Sequence, residues 1–283
     1  VYADAAGNIA YWHGNRIPER DPSYDWTKAV DGSTSQTEWN GYHEVSESVL
    51  SINPPNGWLQ NCNSTPFTVA GEYSPKKENY PVYMAPDGEN FRGIHAVRVL
   101  SAEKDYTLDK VIKAGYDTKL AAFEVLVPAL VKAFEQVHKN DSLYTLLREP
   151  VAVLKQWDYR SGEASVATTL AVEWGQRLLP AIRKTGAEAG KNTDFVALTQ
   201  YFAGHSSGET LLIPLYETTL DLKKRFGDWQ IPWGELNRFQ RISSDIKYTF
   251  DDSKPSIPIG YVSSTWGMLP AYISRSFPNT KKR

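Results

Sequence analysis

The sequence predicts an α+β protein, and the changing texture along its 283 residues carries that prediction. From 1 to 106, short apolar stretches alternate with Pro-, Gly-, Asn- and Asp-rich segments, as expected of short strands joined by loops. From 107 to 228, apolar residues recur at helical spacing. From 229 to 283, punctuation by Trp, Pro and Gly returns, and this segment is expected to lead the chain back toward the first part.

In order, Asn8 to Trp12 reads as a strand set off by Gly7 and Gly14, and Arg16 to Val30 reads as a polar connection. Tyr80 to Gly88 carries two prolines and an Asp-Gly turn and is expected to be loop. Asn90 to Leu100 begins a helix or a strand. Thr107 can cap a helix built on Leu108, Val111 and Ile112 and stopped at Gly115. A longer helix is expected from Thr118 to Val137, with Leu120, Phe123, Val127, Leu130, Val131, Phe134 and Val137 on one face and a kink at Pro128. Pro150 suits the first turn of a short helix through Trp157, and Ser165 the cap of one running past Trp174. The last predicted helix spans Ser207 to Phe226 and stops at Gly227.

Composition narrows the function classes. With 31 Lys+Arg against 33 Asp+Glu the net charge is −2, which gives no electrostatic footprint for nucleic acid or an anionic membrane. Nine Trp, 16 Tyr and 10 Phe fit a globular chain with apolar pockets. No apolar run approaches the roughly 18 residues of a bilayer span. The single cysteine, Cys62, excludes an intrachain disulfide and a cysteine metal cluster. His13, His43, His95, His138 and His205 show no metal-ligand spacing such as HExxH, so no metal ligand is expected among them.

The most informative stretch is Asn53-Pro54-Pro55-Asn56-Gly57-Trp58-Leu59-Gln60-Asn61-Cys62-Asn63-Ser64-Thr65-Pro66. It is too polar for a core strand and too rich in Pro, Gly and Asn for a helix, so it reads as a shaped loop. If Gly57 to Asn63 is extended, Asn61 and Asn63 face the same way. An Asn amide is a donor without charge, suited to a site where negative charge appears on an oxygen only during reaction.

The run Asn-Pro-x-x-Gly-aromatic-x-x-Asn-x-Asn-x-x-Pro resembles the penicillin acylase family of N-terminal-nucleophile amidohydrolases. Other stretches agree with it in order: Tyr2-Ala3-Asp4 with Gly7 to Tyr11, Ile17-Pro18 with Arg20, Glu38-Trp39 with Gly41, Trp157-Asp158, Ser165 to Leu170, and Ile231 to Arg238. The resemblance implies a four-layer αββα core with a large helical excursion. It also implies a serine nucleophile, exposed at the start of the catalytic chain by self-cleavage and expected upstream of Val1. Residue by residue it makes Asn63 the side-chain donor of the oxyanion hole and Arg92 a support for the nucleophile and its surroundings. The expected partners are the remaining segments of the same precursor and a small-molecule acyl amide, in a periplasmic or secreted setting. No cofactor is required for such chemistry. Structural calcium occurs in several family members, and Asp87-Gly88-Glu89-Asn90 offers oxygens, but the tetrapeptide does not reproduce an EF-hand and a turn is the preferred reading.

Each candidate has a rival. Asn63 can serve only its own turn, and Arg92 can form a surface ion pair with Glu89. Cys62 has no His or Lys near it in sequence and reads as an inert small thiol. Gly204-His205-Ser206-Ser207-Gly208 matches the G-x-S-x-G elbow of α/β-hydrolases, but that fold needs a His downstream and none follows His205. A helix cap at Ser207 is the simpler reading. A noncatalytic binding or scaffolding relative of the same fold is the other alternative.

Overall fold

The computed structural model describes residues 1–14, 16–190, 194–240 and 250–283. It is an α+β structure with few, short strands. Strands β1 (Tyr2–Ala3), β2 (Ile9–Trp12) and β3 (Leu50–Ile52) form an antiparallel sheet in that order, with Tyr11 opposite Ser51. Asp4 ties the β1–β2 turn by accepting from Ala6 N and Asn8 N. Asn53, at φ +44°, accepts from Ile9 N at 2.8 Å and so delivers the Asn loop directly off β3.

Eight helices follow among the described residues: α1 (Phe91–Ser101), α2 (Leu108–Gly115), α3 (Phe123–Glu135), α4 (Ser142–Lys155), α5 (Val166–Glu188), α6 (Phe195–His205), α7 (Gly208–Phe226) and α8 (Trp233–Leu236). Helix α5 packs against α4, α6, α7 and α8. The core around it holds Trp174, Trp233, Trp266, Phe123 and Phe202, all fully buried. Gly175 on α5 lets Trp266 approach the helix backbone closely, since a Cβ there would stand 2.8 Å from the indole. The final segment thereby locks onto the helical region, and β4 (Arg238–Phe239) pairs with β5 (Ile257–Pro258) beside it.

Several expectations hold closely. Thr107 caps α2, Ser165 Oγ accepts from Thr168 N at 3.0 Å to cap α5, and Gly227 ends α7 at φ +89°. Others need correction. The helix expected from Thr118 starts at Phe123, because Leu120 N donates to Tyr159 O and Ala122 N to Trp266 O, which commits this backbone to tertiary pairing. Pro150 lies well inside α4, whose cap is Asp141, rather than in a first turn. Helix α2 buries none of its residues: Leu108 is 76% exposed and Ile112 50%. At the last residue, Arg283 is buried against Glu173.

Candidate functional site

The Asn loop and the start of α1 form one hydrogen-bonded unit. Asn90 adopts an extended backbone and its Oδ1 accepts from Gly93 N at 2.9 Å, the ordinary N-cap arrangement. Its Nδ2 reaches back across the loop to Cys62 O at 3.1 Å and Asn63 O at 3.0 Å. One asparagine thus begins the helix and fixes the loop to it. Gly93 permits the close approach: a Cβ there would meet Ser64 Oγ at 2.6 Å.

Arg92 projects from the first turn of α1 onto the same loop. Its Nη2 donates to Cys62 O at 2.7 Å and to Asn63 Oδ1 at 2.5 Å. A guanidinium offers only donors, so the Asn63 amide must turn its oxygen toward Arg92 and its NH2 away. That Nδ2 makes no hydrogen bond among the described residues, and the side chain is exposed. Asn63 itself sits at φ +54°, a left-handed conformation that asparagine tolerates better than most residues, and its N–H donates to Asn61 Oδ1 at 2.9 Å. The arrangement is a neutral donor held at both backbone and side chain, pointing away from its supports.

The rival readings fare differently. Arg92 forms no ion pair among the described residues, and Glu89 instead accepts from Thr68 Oγ1 at 2.7 Å and Asn90 N at 2.9 Å. Burial pushes the Glu89 carboxyl above its usual range, opposed by these two bonds. Burial likewise pushes the Cys62 thiol up despite the Arg92 charge nearby, which disfavours a thiolate. Arg98, the neighbouring arginine, pairs with Glu124 at 2.8 Å and faces another part of the molecule. His205 Nδ1 lies 2.9 Å from Tyr201 O and its ring stacks on Tyr201, while Ser206 lies between α6 and α7. No hydrogen bond joins His205 to Ser206 among the described residues, so the elbow motif assembles no nucleophile and base.

The extended alternation expected of the loop does not reach Asn63. Gln60 is buried and its N–H donates to Val69 O, but the positive φ at Asn63 breaks the pattern. Sequence reasoning missed the bridging part of Asn90, which it placed in a turn. The signal was the Asn immediately before Phe91-Arg92-Gly93, a helix-cap pattern. Asn90 and Arg92 also line a cavity of about 520 Å³, shared with Arg183, Phe195, Leu198 and Ser264, a volume that suits a small molecule.

The site thus joins a polar loop with an oriented side-chain amide to a helix start whose Asn90 and Arg92 line a cavity, within a mixed α+β fold. Residues 1–260 match the penicillin amidase family, and the chain belongs to that family. Its fold is similar to that of a thermostable penicillin G acylase from Alcaligenes faecalis, with a TM-score of 0.54 and 18% sequence identity. The similarity covers 80% of this chain and 46% of the acylase chain, so the present chain spans less than half of that structure's length.

Proposed function

We propose that this chain is part of an acylase that hydrolyses the amide bond of an N-acylated small molecule. The nucleophile in this reading is an N-terminal serine supplied by a segment upstream of Val1, and the remaining segments of the precursor complete the site. The serine hydroxyl attacks the amide carbonyl, its proton passes to the serine's own α-amino group, and the carbonyl electron pair moves onto oxygen. Asn63 Nδ2 donates to that oxygen. Collapse expels the amine, which takes the proton, and leaves an acyl-serine. Water then attacks the ester, giving the carboxylic acid and the free serine.

The observation that carries this reading is the bond from Arg92 to Asn63 Oδ1, which leaves the amide NH2 free and aimed. Such preorganisation matters because the donor needs no rearrangement as charge develops. Arg92 acts through Asn63 and the loop backbone and is a positioning residue. A periplasmic or secreted setting belongs to the same reading. Among the described residues no helix is long and apolar enough to cross a membrane.

The test is labelling of the complete, processed protein with a serine-reactive acyl phosphonate, followed by peptide mapping. The adduct is expected on an N-terminal serine outside residues 1–283, and an adduct on Ser206 would replace this reading with an α/β-hydrolase type.

A further inference from the structure

Away from the Asn loop, Glu19, His43 and Glu47 each bring one ligand atom within 4.8 Å of the others. We propose that they form a binding site for one divalent transition-metal ion, of which zinc is the representative, and that this ion pins the long irregular connection between β2 and β3.

The backbone places the donors before any ion arrives. His43 N donates to Ile17 O at 2.9 Å, Pro18 bridges Tyr42, and Glu19 N donates to Gly41 O at 3.1 Å, a short antiparallel pairing that sets Glu19 beside His43. Gly41, opposite Glu19, has no side chain to fill the space. Glu47 ends a 3-10 turn (Val45–Glu47) and accepts from Glu44 N at 2.9 Å, which brings its carboxylate back over His43. His43 Nδ1 lies 3.2 Å from Glu47 Oε2. Two ligands about 2.1 Å from a tetrahedral zinc stand roughly 3.4 Å apart, so this spacing is close to that of a ligand pair.

The other imidazole nitrogen has the partner a metal-bound histidine needs. His43 Nε2 lies 2.9 Å from Tyr83 Oη, and Tyr83 Oη accepts from Arg20 N at 3.2 Å. Tyr83 therefore fixes the ring from behind, the outer-shell arrangement that sets tautomer and orientation at metal sites. Without an ion, a proton on Nδ1 must separate the imidazole nitrogen from the Glu47 carboxylate. A divalent cation takes that proton's place and is bound by both. It also offsets two carboxylates that pair with no Lys or Arg among the described residues: the Arg20 guanidinium stacks over Trp26 and Trp39 at 4.9 and 5.9 Å, and that of Arg16 over Tyr42 at 5.2 Å.

The donor set selects the ion. One imidazole nitrogen with two carboxylates suits zinc and its neighbours, whereas calcium and magnesium favour oxygen alone. The ion would join Glu19 to a turn far along the chain, in a region whose own buried cluster is only Ile17, Val49, Met84 and Ala85. Closing a long loop in this way is where a bound metal contributes most to folding.

The experiment titrates the metal-stripped complete protein with Zn2+ against a chromogenic chelator, with zinc per chain read by elemental analysis. Wild type is expected to bind one more zinc per chain than Glu19→Gln, a change that leaves the core intact. Any residual binding by His43→Ala is expected to be weaker by at least about tenfold, and Tyr83→Phe to lose about 10- to 100-fold in affinity. Equal zinc stoichiometry and affinity in wild type and Glu19→Gln would overturn the site, and displacement of zinc by equimolar Ca2+ would overturn the ion class.

Discussion

Arg92 on helix α1 and Asn63 in the Asn loop are joined side chain to side chain, Nη2 to Oδ1, at 2.5 Å. The same nitrogen also donates to Cys62 O at 2.7 Å, so one guanidinium sets both the path of the loop and the orientation of the amide it carries. The helix start is in turn held by Asn90 and by the close contact at Gly93. These contacts join the loop and α1 into one hydrogen-bonded unit.

Replacement of Arg92 follows from this relationship. In Arg92→Lys the charge remains, but a single ammonium on a flexible stem cannot reproduce the guanidinium's fixed geometry toward the two oxygens. A hydrogen bond to a charged group contributes about 1.5–3 kcal/mol, so loss of the bond to Asn63 should lower kcat about 10- to 100-fold in the processed enzyme. Steady-state kinetics should show the loss mainly in kcat, since the proposed role of Asn63 is to donate most strongly in the transition state. An unchanged kcat in Arg92→Lys would show that the loop holds Asn63 unaided.

Glu173 on α5 carries a different burden. It accepts from Arg225 Nη1 at 2.7 Å and from Arg283 Nη1, with side-chain exposures of 9% for Glu173 and 6% for Arg283. Glu173→Ala would leave two arginines facing each other across a buried site. Breaking a buried pair in this way typically costs about 3–5 kcal/mol, and chemical denaturation should show a loss of that order. Arg225 retains Asp221 at 2.8 Å, so the greater part of the damage should fall on the Arg283 segment, visible as faster hydrogen exchange near the chain end.

Asp117 predicts part of the acid response. Burial pushes its carboxyl up, but the bond from Lys119 N, the bonds from Arg160 and the charges of His95 and Arg160 outweigh this and hold it below its ordinary value of 3.8. The unfolded chain therefore takes up the proton first as pH falls. The stabilising contribution is complete above the ordinary value and is lost as pH drops through the lower folded value. Asp117→Asn should flatten the stability-against-pH curve below about pH 4 and lower stability at neutral pH. Equal acid slopes for the two proteins would exclude this role.

What could be read in the sequence follows from where its signals are local. Helix α7 was legible because a cap at Ser207, an apolar face and a terminal glycine all lie within it. The Asn loop was legible as a loop because its residue types suit neither a core strand nor a helix. Tertiary pairing hid the rest. The backbone before α3 bonds to Tyr159 and Trp266, partners that no local window contains. Pro150 was placed at a helix start because proline usually marks one, yet Asp141 already begins α4 and the helix accommodates the proline internally. The apolar residues of α2 obey helical spacing without being buried, since periodicity reports a face and not what covers it. The site's key bond lay beyond reach for the same reason: Arg92 and Asn63 meet only once α1 packs on the loop.

Asn63 and Asn61 should separate cleanly as variants of the complete, processed enzyme. Attack on the amide carbonyl places negative charge on its oxygen, and a fixed donor about 3 Å from that oxygen stabilises the transition state more than the ground state. Removal of one such donor typically slows the chemical step by about a hundred- to a thousandfold. Asn63→Ala should therefore lower kcat by that factor while KM changes little. It also leaves one Arg92 bond without an acceptor, although the bond to Cys62 O survives and keeps the loop in register. Asn61 acts on the backbone instead, where its Oδ1 accepts from Asn63 N at 2.9 Å and supports the left-handed turn. Asn61→Ala should lower thermal stability or maturation by about 1 kcal/mol, the usual contribution of such a bond, with a smaller effect on kcat in the processed fraction. In the proposed reading, in which self-cleavage shares the same donor, processing of each variant is measured by mass before kinetics are compared. A fully processed Asn63→Ala enzyme with near-normal kcat would mean that the aimed amide only shapes the loop, and the oxyanion role would then have to fall to backbone N–H groups.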